Sequence, residues 1–333
     1  MLLTITRRAL IACALIALPA HAQQADKISF GTNWVAEAEH GGFYQAVVDG
    51  TYAKYGLDVT IVPGGPQVNN RMLLLAGKID FFMSANSLQG FDAVAQNIPV
   101  IAVAAMFQKD PQVLLAHPGE AEKFTDLKSL TLLVSSEGQQ TYFKWMQAEF
   151  GFSGAKVKPY TFNPQPFLLD KQTAMQGYVT SEPFAVEKAG QFKPKVFLLA
   201  DNGFNTYSTL IEARRETVEK RPELVQRFVD ASAIGWYHYL YGDNKAANAL
   251  IKKQNPEMTD ELLNYSVAAM KEYGIVDSGD TLKSGIGAMT DARMASFFDK
   301  MVRAGVVKPG TDYRNSYTLQ FVNKGIGADQ RPK

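Results

Sequence analysis

Short apolar runs alternate with helix-length amphipathic stretches over the first two thirds of the chain. Residues 27–32 read as a strand and residues 42–49 as a helix. Residues 58–62 form a second predicted strand. Pro63-Gly64-Gly65-Pro66 reads as a loop, and residues 67–76 as a helix ended by Gly77. A third strand is predicted over 79–83, running out at Ser84-Ala85-Asn86-Ser87. A helix over 88–96 and a continuously apolar strand over 100–106 follow. Strands alternating with helices predict parallel sheet covered on both faces, and unbroken apolar strands fit burial on both sides.

Residues 107–112 lead into another apolar run, 113–116, which reads as a crossing into a second lobe. There, strands are predicted at 130–134, 156–160, 176–180 and 196–199, with a helix through Gln147. Residues 207–211 read as the return crossing. From Arg215 the period becomes 3.6, with helices over 224–241, 243–253, 260–273 and 291–304. Asp243 and Asp291 are candidate caps, and this tail is expected to pack on the first lobe. The layout matches a type II periplasmic binding fold of the α/β class: two lobes, a two-strand hinge and a helical C-terminal region. The predicted divisions are 1–22, 23–112, 113–205 and 206–333. Ligands of such folds sit between lobes, at strand C-terminal ends.

The first 22 residues have their own pattern. Arg7 and Arg8 precede the apolar run 9–18, Pro19 breaks it, and Ala20-His21-Ala22 fits a cleavage site. This reads as a Sec-type signal peptide, since the run is about half of the roughly 20 residues a membrane span needs. Cys13, the one cysteine, lies inside it. The mature chain is therefore expected to lack thiolate chemistry and disulfides, as suits a large-cored periplasmic protein. Loss of Arg7 and Arg8 from 34 basic and 33 acidic residues leaves one more acid than base. No basic cluster appears, so nucleic acid is not an expected partner.

Predicted strand ends nominate the site. Asn33 and Trp34 follow the first strand, where the amide can donate and accept and the indole can stack on a ring or join the core. Glu37, Glu39 and His40 come next, as ligand contacts or as a solvated turn. Gly41 and Gly42 would let backbone approach a ligand. Ser84 and Asn86 are placed at a helix start, as contacts or caps. Phe107 and Gln108 stand at the first crossing. In the second lobe, Tyr178, Thr180 and Glu182 are candidates, and Tyr207 is a candidate second stacking wall. Asn163-Pro164-Gln165-Pro166 is a rigid polar loop. The candidate set holds carboxylates and no arginine, which suits a neutral or cationic heteroaromatic better than nitrate or a sulfonate. No metal or cofactor is expected.

The run from Asn33 to Tyr44, with Tyr55-Gly56-Leu57-Asp58-Val59, Leu75-Ala76-Gly77-Lys78-Ile79-Asp80 and Ser181-Glu182-Pro183, resembles the NMT1/THI5-like family. That family includes periplasmic solute-binding proteins of ABC importers for thiamine pyrimidine precursors and riboflavin. The resemblance implies a monomeric binding protein for an aminopyrimidine, docking on an inner-membrane permease whose ATPase acts indirectly. It implies that Glu182 accepts hydrogen bonds from the ligand, and that Ser135-Ser136-Glu137-Gly138-Gln139 is the turn that grips it, through Gly138 and Gln139. A thiamine-pyrimidine synthase shares the family. Its lysine–histidine pair is absent from Met83–Leu88, and its cysteines are absent from residues 202–210, so that chemistry does not carry over. Riboflavin, another aromatic or a sulfonate are the alternative ligands. A pyrimidine-metabolising enzyme and a ligand-sensing subunit are the alternatives outside transport.

Overall fold

The computed structural model describes residues 25–65 and 68–332. The predicted signal peptide lies outside them. Two five-stranded sheets organise the molecule. The first contains β1 (Asp26–Gly31), β2 (Leu57–Val62), β3 (Phe81–Asn86), β4 (Val100–Phe107) and β10 (Ser208–Arg214), in the order β2-β1-β3-β10-β4. The second contains β5 (Gln112–Ala116), β6 (Thr131–Val134), β7 (Lys156–Pro159), β8 (Thr173–Tyr178) and β9 (Lys195–Leu198), in the order β7-β6-β8-β5-β9.

Both sheets are mixed rather than purely parallel. β10 runs antiparallel to β3 and β4, and β5 runs antiparallel to β8 and β9. Each of these strands enters its sheet from the other lobe, so it runs against the local βα direction. The two crossings, Gln108–Pro111 and Leu199–Tyr207, form the two-strand hinge.

Several boundaries move from their predicted positions. β3 continues through Ser84 and Asn86, because both pair with β10 at Leu210 and Ser208. β8 begins at Thr173 and stops at Tyr178, leaving Thr180 in a turn and Glu182 as the first residue of the helix Glu182–Gly190. Asn244 and Thr290, not Asp243 and Asp291, hold the cap positions of the helices Lys245–Gln254 and Asp291–Arg303.

The glycine pair has a packing role. A Cβ on Gly41 would lie 2.1 Å from the Tyr239 ring, and one on Gly42 would lie 2.2 Å from Trp236. Both glycines let the helix Gly41–Val48 seat on Pro222–Tyr241. Gly235 completes the contact, since its own Cβ would meet the Gly42 carbonyl at 2.3 Å. Phe30, Phe43, Phe81 and Phe228 extend this contact into the sheet as an aromatic core.

The C-terminal region packs on the first lobe and also reaches further. Tyr265 and Ser266 donate to the Val179 and Thr180 carbonyls of the second lobe, at 3.1 and 2.7 Å. The Ile275 carbonyl accepts from the Gln108 and Lys109 amides at the first crossing.

Candidate functional site

A concavity lies between the lobes, at the C-terminal ends of β1, β6 and β8. It encloses about 380 Å³, within the range of small-molecule sites. The turn after β1 forms its first wall. Thr32 Oγ1 donates to the Trp34 carbonyl at 2.8 Å, Gly64 N–H donates to the same oxygen at 2.9 Å, and Asn70 anchors the Thr32 carbonyl at 2.8 Å. Trp34 is thereby held out of the core, 36% exposed. Its ring faces Phe162, which follows β7, at a centroid distance of 6.2 Å.

Glu37 and His40 follow. Glu37 is partly buried, and His40 is wholly so, with Nε2 3.7 Å from Glu37 Oε1. Neither ring nitrogen of His40 has a hydrogen-bond partner. Burial lowers the imidazole pKa to about 3, so His40 is neutral. Burial, then repulsion from Glu39 and Glu182, raises Glu37 well above the ordinary carboxylate range. Glu39 is also raised by burial, although it accepts a short hydrogen bond from Thr180 Oγ1 of the second lobe.

Asn86 and Asp110 line the back. Asn86 Oδ1 caps the next helix by accepting from Leu88 N–H at 3.1 Å, while Nδ2 donates to Asp110 Oδ2 at 3.3 Å. Asp110 Oδ1 accepts from Gln112 N–H at 3.0 Å. Burial outweighs these bonds and lifts its pKa to about 6.

On the second lobe, Glu182 folds back so that Oε2 accepts from Tyr178 N–H at 2.6 Å and Ser181 Oγ at 2.5 Å. Burial raises its pKa, and these bonds oppose the rise. Gln176 Oε1 accepts from Ser135 N–H and Tyr142 Oη at 2.6 and 2.9 Å, fixing the turn above β6. Gly138 lies under the Tyr142 ring, where a Cβ would come within 2.6 Å of the hydroxyl oxygen.

Ten nominated residues thus meet around one cavity: Asn33, Trp34, Glu37, Glu39, His40, Asn86, Phe107, Gly138, Tyr178 and Glu182. Four do not line it. Ser84 is buried with no hydrogen-bond partner. Gln139 donates to the Val134 carbonyl at 3.0 Å. Thr180 is engaged with Glu39. Tyr207 is buried behind the hinge, donating to Asp280 Oδ2 at 2.5 Å and accepting from Thr290 N–H at 2.9 Å. The sequence reading missed Asp110, Tyr142, Tyr160 and Phe162. Phe162 carried a signal, as an aromatic beside the Asn163-Pro164 loop and just past a predicted strand.

Among the described residues no Lys or Arg lines the cavity, whereas five carboxylates do: Glu37, Glu39, Asp110, Glu137 and Glu182. Aromatic rings supply most of the apolar wall. The arrangement suits a flat ligand with hydrogen-bond donors or positive charge.

Two lobes closing on such a cleft define the class: a solute-binding protein with the periplasmic binding protein fold. A family profile described as NMT1/THI5 like matches residues 37–247, and the chain belongs to that family. A riboflavin-binding protein, RibY, of Chloroflexus aurantiacus is 23% identical over 310 residues, covering 90% of this chain and 87% of the relative. Among solved structures, the aliphatic sulphonate-binding protein SsuA of Escherichia coli superposes with a TM-score of 0.62 at 14% identity, covering 87% of this chain and 91% of that one. The nitrate-binding protein NrtA of Synechocystis PCC 6803 gives 0.56 at 12% identity, covering 90% and 87%.

Proposed function

We propose that the protein is the periplasmic solute-binding component of an ABC importer, and that it captures a planar N-heterocycle by lobe closure. Its ligand class is an aminopyrimidine of the thiamine-precursor type, hydroxymethylpyrimidine or formylaminopyrimidine. One observation carries the reading: the cleft is acidic and aromatic, with no cationic side chain among the described residues. Sulfonate and nitrate need converging cations or N–H groups, so this lining argues against the anions named for the solved structures. Trp34 and Phe162 form stacking faces on opposite lobes. Glu182 Oε1, which receives no hydrogen bond from another described residue, in contrast to Oε2, is an acceptor for a ring amine.

Closure follows from contacts made to both lobes at once, which shift the population towards the closed form. That form would dock on a membrane permease, where ATP hydrolysis belongs to a partner. The lobes would divide near Gln112 and Tyr207.

Riboflavin is the second reading. The relative named for it is similar across nearly the whole chain. A neighbouring cavity of about 470 Å³ shares Asn86, Gln89, Glu137 and Thr141 with the main one, giving room for a longer ligand.

The test is a thermal-shift screen of residues 23–333 after refolding to strip carried ligand. The panel holds hydroxymethylpyrimidine, formylaminopyrimidine, thiamine, riboflavin, taurine and nitrate. At 1,000 times its dissociation constant a ligand adds about 4 kcal/mol, a shift of several degrees. A shift with the pyrimidines alone supports the first reading. One with riboflavin alone supports the second, and one with taurine or nitrate alone overturns both.

A further inference from the structure

We infer that the cleft selects a ligand carrying a positive charge, with the Glu37 carboxylate as its counter-charge and the neutral His40 imidazole beside it as a hydrogen-bonding partner. This rests on the reading that the cleft takes a planar heterocycle, and it adds the charge state.

Of the five acids that line the cavity among the described residues, three accept hydrogen bonds from the protein. Glu39 receives Thr180 Oγ1. Glu182 receives Tyr178 N–H and Ser181 Oγ, and Asp110 receives Gln112 N–H and Asn86 Nδ2. Glu137 is exposed. Glu37 alone is both partly buried and without a hydrogen-bond donor among the described residues; its neighbour is His40 Nε2 at 3.7 Å.

His40 is the second, independent observation. It is fully buried, lines the cavity, and has two unpartnered ring nitrogens. A buried polar group without a partner is costly, so an imidazole placed this way suits a hydrogen-bonding ligand in the cavity. Because burial keeps the ring neutral, His40 cannot neutralise Glu37. Nor can any lining Lys or Arg.

A neutral ligand would leave Glu37, Glu39 and Glu182 facing one another across the closed cleft, where burial and mutual repulsion favour the protonated acid; a bound cation reverses that balance and makes Glu37 the ionised counter-charge. A cation relieves all three at once and also gains the faces of Trp34 and Phe162, as in aromatic recognition of cations. An amidinium edge, two parallel N–H groups on a flat frame, fits a free carboxylate. A ring-protonated aminopyrimidine presents that edge.

The test uses three flat single-ring probes that differ in charge: benzamidinium, benzamide and benzenesulfonate. Affinities are measured by calorimetry on the ligand-stripped protein and on Glu37→Gln, with circular dichroism to confirm that the variant is folded. Benzamidinium should bind at least about tenfold tighter than benzamide, and benzenesulfonate should not bind. Glu37→Gln should remove the benzamidinium advantage and leave benzamide within about twofold. A Glu37→Gln protein that has lost its fold is replaced by raised salt on the parent protein, which should weaken benzamidinium and spare benzamide. Equal binding of benzamidinium and benzamide overturns the charge inference and leaves the aromatic-capture reading standing. No binding by any probe also overturns it, and the thermal-shift panel then decides separately whether heterocycle capture survives.

Discussion

The Trp34 indole and the Phe162 ring lie 6.2 Å apart with 33° between their planes, although one follows β1 and the other β7 on the opposite lobe. Phe162 is 66% exposed, and neither ring is core. A flat ligand inserted between stacked faces needs slightly more room than this, so a small opening admits one and closure grips it. Trp34→Ala and Phe162→Ala should each weaken binding by about two- to tenfold, the scale of an aromatic pair, with an unchanged urea midpoint. Trp145 and Trp236 are buried, so a ligand-induced change in tryptophan emission should vanish in Trp34→Phe. Persistence of that change in the variant would remove Trp34 from the site.

Glu39 and Thr180 join the lobes directly. Thr180→Val keeps the shape and deletes the donor. It should favour the open form, lowering affinity by about ten- to a hundredfold, the effect of a hydrogen bond to a charged group. Small-angle scattering of the ligand-free protein should show a larger radius of gyration. An unchanged radius and affinity would mean the pair does not bias closure.

Arg293 holds both crossings of the hinge. Its guanidinium donates to the Gln108 carbonyl, to Gln108 Oε1 at 3.2 Å, to the Asn205 carbonyl at 3.0 Å and to the Thr206 carbonyl at 3.1 Å. It also stacks 4.1 Å from the Tyr207 ring centroid. Arg293→Ala leaves these carbonyls short of a donor and should cost about 3 kcal/mol by denaturant titration. Lys cannot reproduce the planar fork, so Arg293→Lys should recover less than half. Full recovery would reduce the role to charge alone.

His40 sets a pH limit on stability. Its pKa in the fold, about 3, lies below the ordinary 6.5. The unfolded chain therefore takes up a proton that the native state refuses, and stability is lost as pH falls from 6.5 towards 3. The slope approaches about 1.4 kcal/mol per pH unit. Asp110 acts oppositely, because its pKa is raised to about 6 and the native state gains the proton first as pH falls. Below pH 6 its gain therefore offsets much of the His40 loss, and the raised acids Glu37, Glu39 and Glu182 act in the same direction as Asp110. His40→Gln removes the opposing contribution, so between pH 6.5 and 5 its stability in denaturant titrations should rise relative to the parent as pH falls, by up to about 1.4 kcal/mol per pH unit; equal slopes in parent and variant would refute the assignment.

The alternation of strands and helices was legible because it is local. The limits of β3 were not: Ser84 and Asn86 become strand only by pairing with Leu210 and Ser208, more than a hundred residues away. The antiparallel course of β5 and β10 depends on the same long-range exchange. At the site, Asn33 and Trp34 were readable as residues just past a strand. Tyr207 has the right position in sequence, but Asp280, Thr290 and Arg293 hold it behind the hinge. Gly41 and Gly42 suggested a ligand-facing turn, whereas their close neighbours are Tyr239 and Trp236. Those rings come from a helix whose docking leaves no mark on the glycines' own surroundings in sequence.

The place of β10 bears on how the chain assembles as it emerges N-terminus first. β5 to β9 form one uninterrupted segment and can complete their sheet unaided. The other sheet cannot: β10 lies between β3 and β4, so those two strands hold unpaired edges until the last strand of the pair of sheets arrives. Late pairing of distant strands is slow and leaves edges open to wrong partners. The second lobe is therefore the early-folding unit, and the lobe that begins the chain is the one that waits.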